Sequence, residues 1–201
     1  MQAHSSYNGE LRILERVLMS QSADHIAEAL RTGMRQLASG VCVITANDES
    51  RGTEQGRVAM TASSVTSLTD APASLLVCIN KDARLSSVLA QGDLFSVNVL
   101  AKEHEEVSTA CAVPEVGNSR FSKGSWVVNP QSGLWHLEDA PVVFFCTLDQ
   151  VHEYGTHKIC IGKLSHVYFA EKHQSNESGN GEGTADLLTY VRGGYHILKS
   201  K

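Results

Sequence analysis

Three stretches of this sequence gather side chains suited to holding a small anionic ligand. The first, MTASSVTSLTDAP at residues 60–72, is dense in hydroxyls and lies beside a loop carrying Arg57. Such a strand can donate hydrogen bonds to a phosphate or to the polar edge of a heterocycle, although a Ser/Thr-rich edge strand has the same composition. The second, VCINKDARLSS at 77–87, runs from an apolar strand through Asn80 and Lys81 to Arg84, where a short helix is predicted. Cations and unpaired backbone N–H groups together make an anion-binding corner. The third is a pair of turns, YGTH at 154–157 and YVRGGYH at 190–196, which can deliver His157 and an aromatic ring to a cleft. No GxGxxG follows a strand, no HExxH or paired HxH occurs, and His104 with Glu105 and Glu106 lacks a second histidine, so nothing in the spacing calls for a metal.

Elements able to position these groups can be read from periodicity. Leu11, Leu14 and Leu18, then Ile26, Leu30, Met34 and Leu37, form two helical stripes, with Ser22 as an N-cap of the second and Gly40 as a stop. Residues 41–45 begin a change to β character, and NDESRGTEQG reads as a hairpin loop. Strands are predicted around 58–67, 74–79, 95–100, 142–147, 158–169 and 188–195, with helices at 83–91, stopped by Gly92, and at 103–111. Singly inserted helices among many short strands favour an antiparallel barrel over a doubly wound sheet. Residues 172–186, rich in Gly, Ser and Asn, read as a flexible insertion between two strands. The expected division is a helical extension over 1–22 and one barrel domain over 23–201.

Composition narrows the function classes. Seventeen Lys and Arg against 22 Asp and Glu leave a formal charge of −5, the wrong sign for a dedicated nucleic-acid binder. Hydrophobic residues at 42% suit a folded core, no apolar run is long enough to span a bilayer, and the N-terminus lacks an export signature. The expected location is therefore cytoplasmic, with no nucleic-acid or membrane partner. In such a reducing compartment Cys42, Cys78, Cys111, Cys146 and Cys160, an odd set without CxxC spacing, read as small buried hydrophobes.

Taken in order, MTASSVTSLTDAPASLLVCIN, FSVNVL, RFSKGSW from Arg120, YGTHKICIGKL and YVRGGYH resemble the short-chain flavin reductase family of FMN-binding split-barrel proteins. Within it the chain is most similar to the reductase components of two-component aromatic monooxygenases. The resemblance runs from about Arg31 to His196, and the block from Met60 to Asn80 is its most specific part. It implies a mainly β fold with flanking helices, a split β-barrel. It also implies a homodimer that reduces FMN or FAD with NADH or NADPH and passes diffusible reduced flavin to a monooxygenase component. The alternatives are a non-catalytic flavin carrier or electron-transfer protein on the same barrel, and a barrel that only dimerises.

Carried onto this sequence, the resemblance places flavin against Arg57, Val58, Ala59, Met60, Thr61, Ala62, Ser63 and Ser64. Further flavin contacts fall on Cys78, Ile79, Asn80, Lys81 and Arg84, and on Ala112 and Val113. It places the nicotinamide near His157, Tyr190, Val191, Arg192 and Gly193. No side chain is expected to act as nucleophile or base, because hydride passes directly between two bound rings. Ala83 and Leu85 depart from the family pattern, which often has hydroxyl residues there. Ser86 and Ser87 are the nearest substitutes; otherwise charge alone holds the phosphate, and binding is then salt-sensitive.

Overall fold

The computed structural model describes residues 23–52, 55–113, 119–170 and 185–200. These fall into two compact units, one holding residues up to Ala38 together with Val191–Gly193, the other Ser39–Tyr190 and Gly194 onward. The helical extension expected over 1–22 lies outside the described residues. In the first unit helix α1 (Ala23–Met34) has Asp24 in its first turn and Arg31 in its last, each at the end of the helix dipole that favours its charge. Its stripe Ile26, Leu30 and Met34, continued by Leu37, is exposed. The helix ends well before Gly40, which belongs to a strand. The Leu11–Leu18 stripe, the Ser22 cap and most of the 172–186 insertion lie outside the described residues. No helix among the described residues is long and apolar enough to cross a membrane.

The second unit is mainly β. Its principal sheet has seven antiparallel strands in the order β3-β2-β6-β9-β10-β5-β4. These are β2 (Cys42–Asn47), β3 (Arg57–Ala62), β4 (Val65–Asp70), β5 (Ala73–Asn80), β6 (Leu94–Val99), β9 (Val142–Tyr154) and β10 (His157–Phe169). A smaller sheet joins β1 (Ser39–Gly40), β11 (Leu187–Val191) and β12 (Gly194–Leu198), and a hairpin pairs β7 (Trp126–Val128) with β8 (Trp135–Leu137). Alternation along each strand sends one set of side chains to each face. Ile44, Val58, Val77, Ile79, Phe95, Val97, Cys146, Leu148 and Cys160 form a single buried cluster drawn from six strands. One face of the sheet therefore meets itself across a barrel interior, yet β3 and β4 remain unpaired edges and the barrel is split. Helix α2 (Arg84–Val88) adds Leu85 to this cluster. Gly162 is needed where β10 approaches Phe95: a Cβ there would lie 2.4 Å from the ring.

The opposite face buries Val41, Val43, Ala59, Val143 and Phe145 beneath helix α3 (Glu105–Ala112) and the β7–β8 hairpin. A polar network fastens the hairpin. Thr45 Oγ1 donates to the Trp135 carbonyl at 2.5 Å and lies 2.7 Å from Ser96 Oγ. Asn98 donates to the Val43 carbonyl and Ser96 Oγ and accepts from the Leu137 N–H at 2.9 Å. Fully buried polar groups are tolerated when paired in this way. The alternation FSVNVL thus has two buried faces, one apolar and one hydrogen-bonded.

Four differences from the sequence reading have local causes. The strand expected over 58–67 breaks at Ser63–Ser64 into β3 and β4, the two edges of the split. The helix expected to Gln91 closes after Val88, where Leu89 is extended. The last strand is a hairpin, turning at Arg192 (φ 55°) and Gly193 (φ 81°). The β7–β8 hairpin, with three residues per strand, is too short to show periodicity. Four cysteines are buried and Cys78 is half-buried, all free. Desolvation pushes the Cys42 and Cys146 thiols up to about 12, which leaves them unreactive.

Candidate functional site

One end of the barrel unit holds a pocket of about 1000 Å³. Strand β3 supplies Met60 and Thr61, the turn after it Ser63, and the end of β5 Asn80. The segment entering α2 supplies Asp82, Ala83, Arg84 and Leu85. Cys111, Ala112 and Val113 come from the end of α3, Arg120 from the short turn Ser119–Phe121, and Arg51 from the β2–β3 loop. Tyr190 and Tyr195, on β11 and β12, meet edge-to-face at 5.6 Å. Three guanidinium groups, amide and hydroxyl donors and two aromatic rings thus line one space, a set suited to a planar heterocycle carrying an anion.

Each cation is held differently. Arg120 is buried, with only 8% exposed, and donates to the carbonyls of Ala59 and Val113, strapping β3 to the end of α3. Its positive charge there complements the helix C-terminus. Arg84 lies 3.6 Å and Arg51 3.5 Å from the same oxygen of Asp48. Hydrogen bonding from the Ser50 side chain, helped by those guanidiniums, holds the Asp48 carboxyl below its usual range. Lys81 is engaged by Glu153 at 2.8 Å, and its backbone N–H donates to the Thr156 carbonyl. The lysine pulls the Glu153 carboxyl below its usual range.

Of the residues expected around flavin, the pocket brings together Met60, Thr61, Ser63, Asn80, Arg84, Ala112 and Val113, with Tyr190 from the nicotinamide set. Val58, Ala59, Ala62 and Ile79 are buried in the core and are not among the residues that line it. Arg57 is not on the wall: its guanidinium stacks over Phe121 at 4.5 Å and Trp135 at 4.9 Å. Ser64 donates to the Cys78 carbonyl, Cys78 sits within β5, and Lys81 lies beyond the lining residues. His157 is exposed, 2.9 Å from Thr156 Oγ1, and pairs in the ladder with Asn80. Val191, Arg192 and Gly193 fall in the other unit, where the Arg192 N–H donates to the Arg35 carbonyl. Ser86 is buried and Ser87 donates to the Arg84 carbonyl, so neither replaces the hydroxyls missing at Ala83 and Leu85.

Sequence reasoning missed Arg51, Arg120 and Tyr195. Arg120 and Tyr195 stand inside quoted motifs, RFSKGSW and YVRGGYH, but nothing local marks an arginine as buried. Arg51 sits in a polar loop, where a charge ordinarily reads as solvated.

A flavin reductase like domain is matched over residues 34–199. The chain belongs to that family. As a flavin reductase family member it has relatives named FMN reductase (NADH) RutF. The protein of Methylorubrum extorquens strain DM4 is 35% identical over 172 residues, covering 86% of this chain and 75% of its own length. That of Agrobacterium fabrum is 33% identical over 147 residues, covering 73% and 81%. Among solved structures, BorF, the flavin reductase component of a bacterial two-component tryptophan halogenase, aligns with a TM-score of 0.70 at 26% identity, covering 87% of this chain and 99% of that one. These likenesses agree with a mainly β, split-barrel fold.

Proposed function

We propose that this flavin reductase family member oxidises NADH and reduces free flavin, FMN above all, which then leaves for a separate monooxygenase component. The observation that carries the reading is the pocket's donor set: three arginines, two tyrosines and polar strand ends converge, and among the described residues that line it Asp82 is the only carboxylate and there is no histidine. Flavin, when bound, supplies the hydride-accepting ring, and the protein's own task is orientation. Met60 and Tyr195 offer flat apolar walls for rings, and Ser63 and Asn80 offer donors and acceptors for a heterocycle edge. Arg84 and Arg51 meet a phosphate, while Arg120 supplies fixed positive potential where negative charge builds on reduction. His157, one ladder position from the pocket wall, remains the proposed nicotinamide contact. An open pocket rather than a sealed cavity suits a ligand that enters and leaves each cycle.

We further propose that the working unit is a homodimer in the cytoplasm. Leu68 on the β4 edge, Phe169, Ile197 and Leu198 are about half exposed or more, and an open sheet edge with apolar neighbours favours pairing. The deciding experiment follows loss of NADH absorbance with FMN, FAD or riboflavin. Flavin-dependent oxidation, fastest with FMN, is expected. Flavin binding without turnover would make the protein a carrier, and no flavin binding at all would overturn the reading.

A further inference from the structure

Two of the pocket's three arginines already face an anion. Asp48 stands at the end of β2 with one carboxylate oxygen tied to its own loop, accepting from Ser50 N–H at 3.2 Å and Ser50 O–H at 2.5 Å. The other oxygen faces Arg51 at 3.5 Å and Arg84 at 3.6 Å. The loop is built to keep it there. Asp48 N–H donates to the Gly56 carbonyl and Gly56 N–H to the Gly52 carbonyl, both at 2.7 Å. A Cβ on Gly56 would lie 2.3 Å from the Asp48 carbonyl oxygen, so only glycine closes this turn.

Two features make Asp48 more than a structural cap. Both guanidiniums that it faces line the pocket, whereas Asp48 itself does not. Both contacts are also longer than the 2.7–2.9 Å of a charge-assisted hydrogen bond. They are loose beside the 2.8 Å pair of Lys81 and Glu153. An arriving phosphate can form shorter bonds to the same donors, and Asp48, fixed by Ser50, then stays close as a repelling charge. Asp82, also on the pocket wall, is a further negative charge that an arriving phosphate meets.

We propose that Asp48 is a built-in counter-ion that competes with the ligand's phosphate for Arg51 and Arg84. It thereby restrains affinity for phosphorylated flavin and sets the preference between FMN and unphosphorylated riboflavin. The inference rests on the flavin reading above. Its value to a reductase is release: a phosphate held too firmly slows departure of reduced flavin.

The test measures dissociation constants for FMN and riboflavin by fluorescence quenching, in the full chain and in D48N and R51Q. Asn keeps the acceptor for Ser50, and Arg51 is largely exposed, so neither change removes a core group. D48N is expected to tighten FMN by roughly two- to fivefold, the size of one weak ionic contact, and to leave riboflavin unchanged within error. R51Q is expected to weaken FMN while sparing riboflavin. An unchanged or reduced FMN preference in D48N overturns the proposal. Loss of riboflavin binding in D48N also overturns it, by making Asp48 a scaffold residue. If the unaltered protein binds neither flavin, the flavin reading itself fails, and the proposal fails with it.

Discussion

Arg120 shows how one side chain couples stability to the site. Its two donors join the Ala59 carbonyl on β3 to the Val113 carbonyl at the end of α3, and both partners are at or beside the pocket wall. Replacing it by Met leaves buried carbonyls unpaired at about 1–3 kcal/mol each and removes positive potential from the pocket. R120M is therefore expected to lower the urea midpoint and weaken FMN, with R120K intermediate in both because one ammonium cannot span both acceptors. Equal loss of stability in R120K and R120M would place the effect elsewhere. At this scale the sequence was only half legible. Residue type singled out the stretches holding Ser63, Asn80 and Arg84, which line one pocket, whereas Met60 was marked only by the family resemblance. It could not tell Arg57, stacked on Phe121 and Trp135, from Arg120, because a guanidinium's direction depends on rings brought in from distant segments.

Among the elements, the β7–β8 hairpin depends most on what lies beneath it. Three-residue strands have little stability of their own, and the anchors Thr45, Ser96 and Asn98 all come from the main sheet. His136 on β8 is buried and packs edge-to-face on Phe145 at 5.2 Å and Tyr168 at 5.5 Å. Desolvation lowers its pKa below the ordinary 6.5, against the opposing effects of ring hydrogen bonds to the backbone of Leu134 and Val127 and of the charge of Glu138. The unfolded chain thus takes up a proton near pH 6.5 while the folded chain resists it. Stability is full above that value and falls as pH drops through the window down to the lowered pKa. Urea unfolding between pH 7.5 and roughly 5 should show this slope, and H136Q should flatten it. An equal slope in H136Q would assign the acid sensitivity to other groups. Gly162, where β10 crosses Phe95, offers a second element test. G162A should cost about 1–3 kcal/mol by overpacking, and F95L in the same chain should recover part of it.

For the whole molecule, the architecture was more legible than the site. The β-branched run at 41–45 and the alternation at 95–100, among many short strands with singly inserted helices, pointed to an antiparallel barrel. What periodicity could not supply was where strands end, since the break at Ser63–Ser64 is a property of the split and not of those residues. The acidic total of −5 coexists with three arginines around one pocket. With Ala83 and Leu85 in place of hydroxyls, the proposed phosphate contact rests on charge. Raising salt from about 0.05 to 0.5 M should therefore weaken FMN several-fold and riboflavin little. A salt-independent FMN dissociation constant would refute that. Sizing chromatography should return a dimer, and L68D should shift it towards monomer; a stable monomer of the unaltered chain would count against pairing. Finally, both tryptophans, Trp126 and Trp135, sit on the docked hairpin, each facing Phe121. The protein thus carries its own optical reporter: tryptophan emission senses that hairpin alone, while far-ultraviolet dichroism senses the sheet. If the two signals separate along a urea titration, the roof of the barrel lifts before the wall gives way.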